Sequence, residues 1–336
     1  MSILKRPRRP LRALAILIVV AAVSALGRFV WVNGVFSSVT PGSAGVCKQV
    51  AVLPGVQDME AVGGTVFLSA QDGVYAMVAG ARPVRLAGAP QDFHPRGIGL
   101  FATPDGKAVF LLAVNRQSTG RFSIDTFEVA DPTTAPKLVA QGMVEGGLLT
   151  DAWDVAATSP TSFYVANGAV SKYAPIRWLQ QWGVISGGAV LYFDGMRFKP
   201  VVDGLYGPRG LVISGNRLVV SGLLSRSLSS FAKEDITGNL SDEQDITLPA
   251  APDMLSRDGA GDIWVAAHAN LLNWHAAGAG KRTTSQVLRV GLETKTVQQV
   301  YGDTGGAISG ASVALPMGNR LLIASALDGK LLDCGP

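Results

Sequence analysis

The sequence predicts an all-β fold, a six-bladed β-propeller carried on an N-terminal apolar helix. Three observations lead there. Short β-rich runs bounded by Gly, Asp, Asn or Pro fill the chain after residue 46. Glycine supplies 40 of 336 residues while charged residues make up only 16%, which suits many short strands with tight turns and argues against disorder. Polar inner-strand openings recur at Asp58, Arg96, Asp154, Arg209, Asp253 and near Gly310, with gaps of 38, 58, 55, 44 and 57 residues. Four strands per unit and six units make a propeller, with the openings converging on its central tunnel.

Residues 1–36 read as a basic cytoplasmic segment and a signal-anchor. Lys5, Arg6, Arg8, Arg9 and Arg12 precede an apolar run over 13–26. That run is short for a span of about 20 residues, and it extends through Phe29-Val-Trp-Val32 toward Phe36 if Arg28 is accommodated. Two readings stand: an uncleaved anchor, and a signal peptide cut near Val23-Ser24-Ala25. Either leaves the basic end in the cytoplasm and places the rest, membrane-anchored or secreted, on the extracytoplasmic side. The same five basic residues account for the formal net charge of +4; setting them aside leaves 24 basic against 25 acidic residues. A near-neutral body gives no reason to expect a nucleic-acid partner.

Residues 37–46 are small and polar, a linker, and the propeller occupies 47–336. Strand runs fall at 107–114, 162–166, 189–193, 216–220, 262–266 and 319–324. The final unit, 307–332, is one strand short, and residues 47–52 can supply it, so that both chain ends close the ring. Cys47 and Cys334 flank that closure. In an oxidising compartment the pair reads as a disulfide; two free thiols are the alternative. The one good helix candidate after the anchor, 175–182, has Trp178, Leu179 and Trp182 at helical spacing. A lid, a membrane-facing helix and an insertion packed on the propeller face all fit it.

Familiar catalytic signatures are missing. The sequence has no Gly-x-Ser-x-Gly elbow, Gly-x-Gly-x-x-Gly, P-loop or His-Glu-x-x-His. Three scattered histidines, His94, His268 and His275, do not suggest a zinc site. Asn239-Leu-Ser241 is a glycosylation sequon, a common chance triplet.

From Cys47 to Cys334 the chain resembles the paraoxonase/arylesterase family of six-bladed propellers, of which it looks like a divergent member. The matching pieces, in order, include Gly55-Val-Gln-Asp-Met-Glu60, Phe93-His-Pro-Arg-Gly-Ile98, Leu111-Leu-Ala-Val-Asn115, Trp153-Asp-Val-Ala156, Trp178-Leu-Gln-Gln-Trp182, Gly207-Pro-Arg-Gly-Leu-Val-Ile-Ser214, Gly261-Asp-Ile-Trp-Val265 with His268, and Ser309-Gly-Ala-Ser-Val-Ala314. The resemblance implies a calcium-dependent ester or lactone hydrolase with two Ca²⁺ ions in the tunnel. A structural ion would be held by Asp58, Asp154 and the backbone carbonyl of Ile98, hard oxygen donors that suit it; the alternative is that the two aspartates bond to inner-strand amides or to nearby arginines. At the positions the family uses for its catalytic ion, this chain has Gln57, Trp153, Arg209, Met254 and Asp253. Only Asp253 is a carboxylate, and the Arg209 guanidinium puts a permanent cation where the metal should be. Arg96 and Arg116 stand where the family has a His pair, with His94 two residues away.

One structural Ca²⁺ is therefore expected and a catalytic one is disfavoured, with Arg96 and Arg209 taking over the missing charge and neutralising Asp253 and the other tunnel carboxylates. His94, His268 and Asp253 remain as candidates for chemistry. Gln57, Arg96, Arg116, Trp153, Arg209 and Met254 are the candidates for lining the tunnel. Two functions follow: the arylesterase-type hydrolase that the resemblance implies, acting on a small ester or lactone with Ca²⁺ as Lewis acid on the carbonyl, or a non-catalytic exported propeller that binds a ligand or protein at its face.

Overall fold

The computed structural model describes residues 9–335 apart from 44, 79, 170, 278 and 279; Lys5, Arg6 and Arg8 lie outside the described residues. Six antiparallel sheets, five of four strands and one of five, stand around one axis as blades 1 to 6. Their innermost strands are Val56–Val62, Pro95–Ala102, Ala152–Ala157, Pro208–Ser214, Ala251–Arg257 and Ala311–Met317. Each lies against the next, and the last against the first. The predicted openings thus begin six successive blades. The outer strand of blade 6 is Val46–Val52, paired with Lys330–Gly335. Cys47 lies opposite Cys334 in that pairing, and the two form a disulfide across 287 residues of sequence.

Strands buried on both faces read as nearly continuous apolar runs, because each blade packs against a neighbour on either side. Thr65–Ala70 and Gly188–Phe193 are buried throughout. Six apolar clusters fill the six gaps between blades. Phe67, Leu111 and Phe127 meet between blades 1 and 2, Leu112, Phe163 and Leu191 between blades 2 and 3, and Val66, Leu68 and Leu322 close the ring between blades 6 and 1.

A β-bulge interrupts the start of every inner strand: between Val56 and Asp58, Pro95 and Ile98, Ala152 and Asp154, Pro208 and Leu211, Pro252 and Leu255, and Ala311 and Val313. A bulge leaves a residue unpaired and re-aims its side chain. The residues passed over are Gln57, Arg96-Gly97, Trp153, Arg209-Gly210, Asp253-Met254 and Ser312. One backbone irregularity, repeated six times, is what gathers polar and aromatic groups at one end of the tunnel.

Helix α1, Arg9–Val32, leads into this same end. Its stretch Arg12–Val32 is long and apolar enough to cross a membrane, about 31 Å at 1.5 Å per residue, and Leu14, Ile16, Leu17, Ile18 and Val23 are exposed along it. Its final turn is docked. Val32 is fully buried with Leu223, Leu224, Ala251 and Leu271. Arg28 donates to the carbonyls of Gly183 and Leu224 and lies 3.8 Å over the Tyr206 ring. Residues 37–46 are more than a tether: Gly42–Ser43 pairs with Val297–Asp303 at the outer edge of blade 5.

Two helices cap the tunnel end. α2, Ala174–Gln181, is inserted in blade 3, with Tyr173, Ile176 and Trp178 exposed and Gln180 holding Ser171 and Ser186. α3, Leu271–Ala277, is inserted in blade 5. The sequence suggested a single helix after the anchor. Seven residues are too few to show a periodicity, although Asn270, which accepts the Asn273 N–H at 3.0 Å, is a start signal that was there to be read.

Reduction of Cys47–Cys334, or replacement of both cysteines by Ser, should destabilise the propeller by about 2–5 kcal/mol. Urea unfolding under oxidising and reducing conditions measures this, and coincident curves would contradict it.

Candidate functional site

Three aspartates line the tunnel, and each has both carboxylate oxygens engaged. Asp58 accepts the Met59 N–H at 2.8 Å and, from the next blade, the Ile98 N–H at 2.9 Å. Asp154 repeats the arrangement with Val155 at 2.8 Å and Leu211 of blade 4 at 2.6 Å. A Cβ at Gly97 would overlap the Asp154 carboxylate, so glycine is what lets blades 2 and 3 approach there. Asp253 departs from the pattern. One oxygen accepts Arg209 Nε at 2.9 Å and the other faces His268 Nε2 at 3.0 Å. Serines complete the stitching: Ser221 donates to the Asp253 carbonyl, Ser256 to Ala314 and Ser312 to Val56. Arg96 joins blades 2 and 3 through the Ala152 carbonyl at 2.8 Å.

The electrostatics differ along the axis. Burial pushes the Asp58 carboxyl up to about 7, helped by repulsion from Asp253 and offset by its two backbone N–H donors. Burial and the charge of Asp58 raise Asp154 well above the usual carboxylate range. Glu60, below them, is raised by burial and by Asp58. Asp253 is equally buried, yet Arg209 and His268 overcome the desolvation and hold it below its ordinary value. Asp58 and Asp154 thus lack a counter-charge among the described residues, and neither Arg96 nor Arg209 pairs with them; Glu60 has Arg257 near it, and Asp253 at the mouth has Arg209.

Two guanidinium groups grip one indole at the mouth. Arg96 lies 3.6 Å and Arg209 3.5 Å from the Trp153 ring centroid. Arg209 also lies 5.4 Å from the Trp274 ring, and Arg96 reaches Asp151 at 3.3 Å. Cation–π contact with a desolvated Trp is worth about 2 kcal/mol, which helps explain how two like charges share so small a space. Above the stack is a cleft of about 470 Å³ between α2 and α3, within the usual size of small-molecule sites. Its walls include Arg96, Arg116, Arg209, Trp182, Trp274 and His275. Trp182 packs on Phe29 of α1, with ring centroids 6.0 Å apart, so the cleft opens beside the docked end of the apolar helix.

The predicted residues divide accordingly. Arg96, Arg116, Trp153 and Arg209 meet in the cleft. Met254 does not: it is buried in the core between blades, against a cluster with Val56, Met59 and Val313, because side chains alternate along the strand and Asp253 takes the tunnel face. Gln57 is half-buried and outside the cleft lining. His94 is displaced to the exposed rim, where it faces the Gln71 carbonyl and Asp92, and does not line the cleft. His268 is sealed under Trp274, ring centroids 4.8 Å apart, with Nδ1 unpartnered. Ile98 turns its N–H to Asp58, and its side chain enters the core between blades 1 and 2. The imidazole that does line the cleft is His275, held low in pKa by burial and by Arg209. Among the described residues no group of three or more His, Cys, Asp or Glu side chains is placed to hold a metal ion.

Fold and site together define a six-bladed propeller with a small-molecule cleft at the mouth of a polar tunnel. The chain belongs to the arylesterase family, whose model matches residues 37–335, and it is a divergent paraoxonase/arylesterase-type member. Serum paraoxonase/arylesterase 2 of Gallus gallus is 27% identical over 237 residues, covering 69% of this chain and 66% of that protein. Serum paraoxonase/arylesterase 1 of Homo sapiens is 27% identical over 251 residues, 72% of this chain and 68% of that one. The chain thus spans about two-thirds of the length of these relatives. A solved luciferin-regenerating enzyme superposes with a TM-score of 0.58 at 11% identity, over 87% of this chain and 96% of the other, a likeness of fold.

The raised carboxylates set the sign of a pH dependence. In chelator, native Asp58 and Asp154 retain protons that the unfolded chain releases above about pH 4, so stability should fall as pH rises. His275, with its lowered pKa, acts in the opposite sense only below about 6.5. Urea midpoints in EDTA should therefore decrease from pH 6.5 to 8; a rise over that interval would contradict the assignment.

Proposed function

We propose that the cleft binds a small ester or lactone and polarises its carbonyl with guanidinium N–H donors in place of a catalytic calcium ion. The observation that carries this reading is the Arg96–Trp153–Arg209 stack at the mouth. The donor set there does not fit Ca²⁺. Gln57 is neutral and outside the cleft lining, Met254 is in the core between blades, Trp153 offers no oxygen, and both oxygens of Asp253 are committed to Arg209 and His268. Fixed, desolvated donors aimed at a carbonyl oxygen stabilise developing negative charge without reorganisation. Arg209 and Arg96 are held by Asp253, Asp151 and the indole between them, as that role requires. His275, kept neutral by burial and by Arg209, is the cleft group able to accept a proton from an attacking water.

The deeper pair is different. Asp58 and Asp154 are buried, repel one another and lack a counter-charge, and each oxygen retains a lone pair beyond its N–H bond. With the Ile98 carbonyl that the family resemblance implies, they would suit one Ca²⁺ as a structural ion joining blades 1 and 3 at the tunnel axis. We read α1 as the membrane attachment. The basic residues before it favour a cytoplasmic N-terminus and an extracytoplasmic propeller, with the cleft mouth beside the bilayer.

Hydrolysis of phenyl acetate and of simple lactones is the test. Any turnover should survive EDTA while the melting temperature drops, because the structural ion is lost and the guanidinium groups are not. Arg209→Gln should lower turnover about 100-fold or more, the scale of losing an oxyanion donor. Turnover abolished by EDTA in folded protein and restored by Ca²⁺ would contradict the proposal. Binding without turnover would reduce the site to a receptor.

A further inference from the structure

The cleft carries more positive charge than its own carboxylates neutralise. Arg96, Arg116 and Arg209 face Asp151 and Asp253, three guanidinium groups against two carboxylates. The donors are also underused. Arg209 is 8% exposed and spends only Nε on Asp253; its Nη1 and Nη2 have no hydrogen-bond partner among the described residues. Arg96 spends Nη1 on Asp151 and Ala152, leaving Nε and Nη2. The Arg116 side chain makes no hydrogen bond or ion pair among the described residues and is exposed along the cleft wall. These nitrogens are not sealed from solvent, since Arg209 lines the cleft, so they are donors that a ligand entering there can take over from water.

We propose that the natural ligand of this cleft is a planar, apolar monocarboxylate, its carboxylate received by the free N–H groups of Arg209 and Arg96 and its body laid against Trp182, Trp274 and His275. The proposal rests on the reading that the tunnel mouth is the ligand site, and it narrows the ligand there to an anion. Guanidinium forks match the planar carboxylate in geometry. One uncompensated positive charge matches one negative charge and disfavours a dianion such as a phosphate monoester. The aromatic wall supports a planar ring: Trp182 and Trp274 lie with centroids 5.3 and 5.0 Å from His275. The same N–H groups cannot hold a free carboxylate and polarise an ester carbonyl at once, so the substrate that goes with this ligand is a neutral aryl-acid ester or lactone, and the carboxylate received is the acid formed on its hydrolysis.

Isothermal titration of the full chain in detergent with 2-naphthoate and with neutral 2-naphthamide, each corrected for micelle binding, tests the idea. The carboxylate should bind about ten- to hundredfold more tightly than the amide. Its affinity should drop with salt, and Arg116→Gln, at an exposed position that does not threaten the fold, should weaken it about tenfold. Arg209→Lys, which keeps the charge that compensates Asp253 but loses the fork, should weaken naphthoate more than naphthamide. Equal affinity for acid and amide would overturn the proposal, as would inorganic phosphate competing better than naphthoate. Binding of neutral phenyl acetate without binding of naphthoate would overturn the anion assignment and leave the ester site standing. Failure of all these ligands to bind would overturn both.

Discussion

The arrangement at the tunnel mouth depends on one ion pair, Arg209 with Asp253. Its partners are 2.9 Å apart, with side chains 9% and 4% exposed. Burying either alone would cost several kcal/mol, and breaking such a pair typically costs about 3–5 kcal/mol. The pair also sets what else the mouth can hold. It keeps Asp253 ionised and occupied, presents the flat face of a guanidinium to Trp153, and leaves two N–H groups aimed at the cleft. A divalent cation at this point would meet a fixed positive charge and no free carboxylate.

The rest of the ring explains why the pair can be held so tightly. Every neighbouring pair of blades is joined near the axis by a side chain from an inner strand. Blades 1 and 2 are joined by Asp58, 2 and 3 by Arg96, 3 and 4 by Asp154, 4 and 5 by Arg209, 5 and 6 by Ser256, and 6 and 1 by Ser312. These bonds satisfy polar groups that the packed interior would otherwise leave stranded. With the velcro of the two chain ends in blade 6 and its disulfide, they make a rigid frame on which bulged residues are positioned more precisely than loop residues would be.

The fold was legible because its signals repeat. Gly-Pro-Arg-Gly at 207–210 and His-Pro-Arg-Gly at 94–97 announce two equivalent strand openings, and both arginines lie where their spacing places them. The sign of the charge at the mouth could also be read, since arginine does not deprotonate. What could not be read was which surfaces distant side chains share. Trp153 counted as a missing oxygen donor, when its indole is the surface both arginines share. Met254 looked like a tunnel residue because it adjoins Asp253, and strand alternation sends it into the core. His94 and His268 drew attention as the imidazoles nearest the matched motifs, yet one is on the rim and the other under Trp274. His275 and Trp274 reach the cleft from a helix too short to announce itself.

The central claim is that guanidinium charge has replaced one of the two dications that the family resemblance implies, while the deeper carboxylates still hold the other. Calcium stoichiometry tests it most directly. Equilibrium dialysis of the chelator-stripped full chain with radiolabelled Ca²⁺ at pH 7.5 should give one tight ion per chain, lost when both Asp58 and Asp154 are changed to Asn. Two tight ions per chain, one of them lost on Asp253→Asn, would contradict the account.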